Sequence, residues 1–132
     1  MRALPVRPST LSRNQARHSM HTVAQHFERS EPQVYAVYDK IVKAARACGP
    51  VGEDPKKTSI HLTRRTAFAG VATRKTALVL TLKASSDIQS ERIIKHEQAS
   101  ANRWHLNVKL EHPRDVDATV IGWIKQAYGL AE

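Results

Sequence analysis

The side chains of this chain that are best suited to chemistry are basic ones, concentrated between Lys56 and Lys83. This stretch holds seven lysines and arginines and no acidic residue. Lysine and arginine bind carboxylates and phosphates through charge-assisted hydrogen bonds, so the expected chemistry is the binding of anions. With two histidines that the strand pattern adds, the candidate ligand-binding residues are Lys57, His61, Arg64, Arg65, Arg74, Lys75, Lys83 and His105.

Two kinds of partner fit these residues. In the first hypothesis, Lys57, His61, Arg65 and Lys83 converge on the open face of a sheet around a small carboxylate or phosphate ligand. The same face could instead bind a protein partner or a second copy of the chain. This hypothesis describes a non-enzymatic accessory or binding domain.

The alternative hypothesis is weak, sequence-nonspecific binding of nucleic acid by the central arginines and the N-terminal tail. The net charge is +9, and residues 1–20 contain four arginines and no acidic residue. Such charge attracts polyanions through counterion release. Phe68 and Trp104 would offer stacking surfaces if exposed, but Trp104 shares its face with Leu106 and Val108, which predicts burial.

Catalytic and metal-binding patterns are absent from the sequence, so we expect no enzyme activity, no cofactor and no metal. The chain has neither a Gly-x-Ser-x-Gly elbow nor a phosphate loop ending in Gly-Lys-Ser or Gly-Lys-Thr. His61 and His105 fall on predicted strands with His96 as a conceivable third ligand, but a zinc site needs three or four fixed ligands.

Two longer helices are predicted to flank the strands. The first runs from Glu31 to Ala47, with Ser30 as its N-cap, and ends at Gly49 and Pro50. A helical pattern also covers residues 22–29. The last helix follows Asp115 as its cap and ends at Gly129. Apolar residues recur every three to four positions along each longer helix, which gives the helix one buried stripe.

Five strands are predicted between these helices. In the first and the last, apolar residues alternate with polar ones, whereas the third is apolar on both faces, which suggests a central strand. The glycine- and proline-rich residues 49–57 are predicted to form a loop. The connections between the first three strands are short, which favours antiparallel neighbours. The predicted strands lie near residues 60–62, 66–72, 77–82, 92–97 and 104–110, with a helical turn as the alternative for residues 92–97.

The expected architecture is an α+β two-layer sandwich, in which the N- and C-terminal helices cover one face of a mostly antiparallel five-stranded sheet. The other face should be open, and therefore solvated, bound to a ligand or joined to another copy. The predicted core comprises Val34, Tyr38, Ile41, Ile60, Leu62, Leu78, Leu80, Leu82, Leu106, Val108, Val120 and Trp123.

Length and composition predict a flexible basic tail over residues 1–20 and one domain over residues 21–132. The single cysteine, Cys48, ends the first long helix, where a small buried thiol is expected, and it needs no oxidising compartment. No apolar run is long enough to span a membrane, so we expect a cytoplasmic protein.

Three motifs resemble the bacterial family called domain of unknown function 5655. They are the basic-Thr-x-apolar strand Lys57-Thr58-Ser59-Ile60, the strand Arg65-Thr66-Ala67-Phe68-Ala69-Gly70-Val71, and the closing helix Trp123-Ile124-Lys125-Gln126-Ala127-Tyr128. His105 matches a histidine that members carry on a late strand. The resemblance covers about residues 25–129 and implies a fold and a bacterial setting, but no activity.

Overall fold

The computed structural model describes residues 21–131, so the predicted tail of residues 1–20 lies outside the described residues. Within these described residues, three α-helices flank a single six-stranded sheet. The elements are α1 (Val23–His26), α2 (Pro32–Arg46), β1 (Gly52–Pro55), β2 (Ile60–Thr63), β3 (Ala67–Thr73), β4 (Leu78–Ala84), β5 (Ile93–Ser100), β6 (Arg103–Leu110), a 3-10 turn (Pro113–Asp115) and α3 (Ala118–Gly129).

The six strands are ordered β1-β2-β3-β4-β6-β5, and every neighbouring pair is antiparallel. Strands β1 to β4 follow one another as a meander. Strand β6 then pairs with β4, while β5 pairs with β6 and forms the far edge. The predicted α+β class with a mostly antiparallel sheet is therefore confirmed, and the last two strands form a hairpin.

Alternation of side chains places the aliphatic residues of the central strands on one face. Cross-strand partners such as Val71 and Leu80, or Leu80 and Val108, stack on that face and are fully buried. Helices α2 and α3 pack against it, and their apolar stripes join the same hydrophobic cluster. Every residue of the predicted core is buried except Trp123, which is only partly buried against the cluster.

The sequence-based prediction missed one strand, because it assigned residues 49–57 to a loop. Gly52–Pro55 pairs with Thr63–Ile60 as the edge strand β1. Glycine, aspartate and proline are poor strand formers, so nothing local identifies the strand. Contacts with α2 hold it in place: Glu53 accepts a hydrogen bond from Tyr38 and pairs with Arg46 at 3.1 Å.

Both predicted helix caps are wrong by one or two residues. The N-cap of α2 is Glu31, whose side chain makes no capping hydrogen bond, while the Ser30 hydroxyl donates to the Arg74 carbonyl. The cap of α3 is Asp117, which accepts from the Val120 amide. Asp115 instead stabilises the turn before the helix.

Two further side chains differ from, or refine, the expectations. Cys48 is exposed rather than buried, because it follows the last helical turn and faces solvent. Trp104 is partly buried against the core, so it is not a free stacking platform. Within residues 21–131, no helix combines the length and the hydropathy that crossing a membrane requires.

Candidate functional site

The face of the sheet opposite α2 and α3 contains a concavity of about 380 Å³. Its base lies along β3, where Gly70 and Ala72 have little or no side chain. Longer side chains of the neighbouring strands surround this base. The open-face concavity, as we call it, is defined by Ser59, His61, Gly70, Ala72, Thr81, Lys83 and His105.

Strand register explains why these side chains meet. Gly70 lies between His61 on β2 and Thr81 on β4, so one row crosses three strands. Lys83 is two residues beyond Thr81 and therefore on the same face, directly opposite His105 on β6. Since adjacent strands are about 4.8 Å apart, side chains from β2, β4 and β6 can reach one ligand above β3.

The polar groups around the concavity are one ammonium, two imidazoles and the hydroxyls of Ser59 and Thr81. Among residues 21–131, neither His61 nor Lys83 has a side-chain hydrogen bond or ion pair. His105 has only a long contact, with its Nδ1 4.0 Å from Glu97 Oε1. The Thr81 hydroxyl donates to Asn107 Oδ1 at 3.2 Å. These donors above an apolar base fit a small molecule with one anionic group.

A second concavity, of about 650 Å³, lies at one end of the sheet. It is formed where the α1–α2 connection meets the β1–β2 and β3–β4 turns. We call it the basic end surface. It is defined by four exposed cationic residues, Arg29, Lys57, Arg74 and Lys75, and its polar rim comprises Gln25, His26, Glu28, Ser30, Thr58 and Thr73.

Hydrogen bonds to backbone carbonyls hold this surface together. The Ser30 hydroxyl donates to the Arg74 carbonyl at 2.8 Å, and the Glu31 amide donates to the Lys75 carbonyl at 2.8 Å. The His26 Nε2–H donates to the Lys56 carbonyl at 2.7 Å. These hydrogen bonds fix the β1–β2 and β3–β4 turns to residues 26–31. The backbone that carries the four cationic side chains is therefore ordered.

Arg64 and Arg65 lie at the opposite end of the sheet, in the β2–β3 turn. Arg64 Nη1 donates to the Tyr128 carbonyl at 3.2 Å, and its guanidinium lies 4.5 Å from the centre of the Tyr128 ring. The Arg65 amide donates to the Ala131 carbonyl at 3.3 Å. These contacts connect the turn to the end of α3, and neither arginine lines either concavity.

The eight candidate residues therefore divide into three groups. His61, Lys83 and His105 come together in the open-face concavity, Lys57, Arg74 and Lys75 in the basic end surface, and Arg64 and Arg65 near the end of α3. Lys57 and Arg65 do not join His61 and Lys83, because the turns that carry them lie at opposite ends of β2.

Sequence reasoning overlooked the small residues that make the open face concave and the contribution of Arg29. Gly70 within a strand is a usable signal, because strand glycines often mark places where a ligand approaches the backbone. A Cβ added to Gly70 would meet only Thr81 Cβ, at 4.0 Å, so the space above it is open. No sequence pattern identified Arg29 as a candidate, since only the tertiary fold brings it beside Arg74.

The described residues also bear on the possibility of a metal centre. Over residues 21–131, no three side chains among His, Cys, Asp and Glu are grouped so that they could hold a metal ion. His96 is paired with Asp87 on the outer strand, away from the open-face concavity.

Comparison with known proteins places the chain in a family. Searches of curated proteins and of solved structures found no match. A family model described as "Domain of unknown function (DUF5655)" matches residues 23–131, which is nearly all of the described part of the chain and includes both concavities. This match confirms the resemblance seen in the sequence motifs. The chain belongs to the DUF5655 family.

Proposed function

We propose that this domain is a binding module for a small organic anion, held in the open-face concavity. The observation that supports the proposal most directly is the convergence of His61, Lys83 and His105 above Gly70, with both His61 and Lys83 lacking side-chain partners among residues 21–131. One ammonium and neighbouring imidazoles whose hydrogen-bonding capacity is unused are what a carboxylate or phosphate requires.

The proposed ligand joins an anionic group to a small apolar body. The volume of about 380 Å³ falls within the range of small-molecule pockets. Lys83 and the imidazoles would take the anionic group, and the surface over Gly70 and Ala72 would take the apolar part. The proposed function is binding without catalysis. We also propose a cytoplasmic location, because the single cysteine, Cys48, requires no oxidising compartment.

Thermal unfolding with simple probes tests the proposal. Phenyl phosphate and benzoate carry an apolar ring, whereas inorganic phosphate does not, so we expect the aromatic anions to raise the melting temperature more. A ligand that binds only the folded state stabilises it by about 2.7 kcal/mol at one hundred times its Kd. Lys83→Gln should abolish the rise, whereas Lys75→Gln, which removes the same charge elsewhere, should preserve it.

A second variant fills the space instead of removing the charge. Gly70→Val places a branched side chain above β3, where the nearest atom to the new Cβ is Thr81 Cβ at 4.0 Å. Because valine favours strands, we expect the variant to fold at least as well as the parent protein. It should no longer respond to phenyl phosphate. An undiminished response in Gly70→Val and Lys83→Gln would contradict binding at this face.

A further inference from the structure

The basic end surface lies apart from the open-face concavity and concentrates cationic charge. Arg29, Lys57, Arg74 and Lys75 contribute four positive charges, and Glu28 is the one acidic residue of its lining. All four cationic side chains are exposed. Within residues 21–131, none of them has a hydrogen bond or an ion pair through its side chain.

The lining of this surface indicates the class of partner. Every lining residue is polar or charged, so the surface offers no apolar side chain to insert into a membrane or to anchor a peptide. Ser30, Thr58 and Gln25 add hydroxyl and amide donors beside the cations. Lysine, arginine, serine, threonine and glutamine are the side chains that hydrogen-bond to nucleic-acid phosphates.

The position of the surface in the chain agrees with a long polyanion. Helix α1 contributes to the lining and follows directly on residues 1–20, which carry four arginines and no acidic residue. Hydrogen bonds from Ser30 and Glu31 hold the β3–β4 turn, and one from His26 holds the β1–β2 turn, so the backbone that carries the cationic residues is already ordered before nucleic acid binds. We infer that the basic end surface binds the phosphate backbone of nucleic acid, independently of base sequence.

Fluorescence anisotropy with the full chain measures this binding. Labelled single- and double-stranded DNA of random sequence would be titrated at about 50 and 200 mM salt. Four phosphate contacts give a slope of about −3 to −4 in a log–log plot of affinity against salt, so affinity should fall roughly a hundredfold between these concentrations. Absence of binding at the lower salt would overturn the inference.

Paired variants locate the contact. Arg74→Ala with Lys75→Ala keeps the backbone carbonyls that Ser30 and Glu31 contact, so the fold of the turn is preserved. It should lower affinity for all sequences alike and reduce the steepness of the salt slope by about 2. Lys95→Ala with Lys125→Ala removes the same net charge from exposed positions outside the surface and should leave the slope unchanged.

Other results would overturn the inference. Equal losses in both double variants would mean that only net charge matters. Equally strong competition by polyglutamate, or by vesicles rich in an anionic lipid, would assign the surface to an acidic protein or to a membrane. None of these results bears on the open-face concavity, because the two proposals rest on different residues.

Discussion

At the scale of single residues, Arg64 shows how a side chain that suggests ligand binding can have a structural role. Its guanidinium stacks on the Tyr128 ring and donates to the Tyr128 carbonyl, so it secures the β2–β3 turn to the end of α3. Arg65 is its neighbour in sequence, yet its contact with Ala131 uses the backbone amide and not the side chain. We therefore expect the side chains of these two adjacent arginines to contribute unequally to the free energy of unfolding.

This difference predicts unequal effects of mutation. We expect Arg64→Ala to lower the free energy of unfolding by about 1–2 kcal/mol, since it removes a hydrogen bond and a cation–π contact. Arg64→Lys should recover only part of the loss, because an ammonium lacks the planar fork. Arg65→Ala is the control and should remain within about 0.5 kcal/mol of the parent protein. Urea denaturation distinguishes these cases, and equal losses at both positions would contradict the assignment.

At the scale of elements, β1 is held by side-chain contacts with α2 as well as by its pairing with β2. Tyr38 is buried and donates to Glu53, and this burial, with the hydrogen bond to Glu53, raises the pKa of the phenol. Arg46 holds the other oxygen of the same carboxylate. One acidic side chain thus joins the edge strand to α2.

Removing either end of this contact should have different costs. Glu53→Ala leaves the buried Tyr38 hydroxyl without its acceptor, so we expect a loss of about 1–3 kcal/mol. Tyr38→Phe removes the hydroxyl itself and leaves Glu53 paired with Arg46, so its cost should be smaller. Hydrogen exchange should show faster opening of β1 in Glu53→Ala with β4 still protected. A larger loss in Tyr38→Phe would mean that the hydroxyl has another role.

An element could be predicted from the sequence where its own residues carry a local apolar pattern, and could not where tertiary contacts hold it. Strands β2 and β6 were predictable because apolar and polar residues alternate along them, β4 because it is apolar on both faces, and α2 and α3 because of their apolar stripes. Strand β1 and the outer part of β5 lack this alternation, since edge strands bury little. In the candidate sites, strand parity predicted that His61 and His105 share a face. The placement of Arg29 beside Arg74 depends on the packing of α1 and could not be predicted.

At the scale of the whole molecule, Arg92 connects the start of the outer hairpin to the start of α3. It pairs with Asp117 at 2.7 Å and donates to the Asp115 carbonyl at 2.6 Å. Hydrogen bonds from backbone amides, chiefly those of Glu111 to Asp115 and of Val120 to Asp117, hold the pKa of both carboxyls below its usual range. The charged forms are therefore favoured by folding.

This lowering predicts how stability depends on pH. A carboxyl whose pKa is lower in the folded state contributes stability above its unfolded pKa, which is about 3.9 for aspartate, and loses it as pH falls through the folded pKa. We expect the urea midpoint to drop below about pH 4. Asp117→Asn keeps a capping acceptor but cannot ionise, so its midpoint should change less between pH 7 and pH 3. An unchanged pH dependence would contradict the assignment.

The strand order β1-β2-β3-β4-β6-β5 has a consequence for the sequence of events in folding. Successive pairings from β1 to β4 close short loops, whereas β6 reaches β4 only after the chain has passed through β5. Loop closure over longer separations costs more entropy, so we expect the meander and the β5–β6 hairpin to assemble separately and then dock along β4. Until the hairpin docks, the backbone groups along one edge of the apolar strand β4 are unpaired. We therefore expect a domain-swapped dimer of this protein to exchange the β5–β6 hairpin, which would pair with β4 of the second copy.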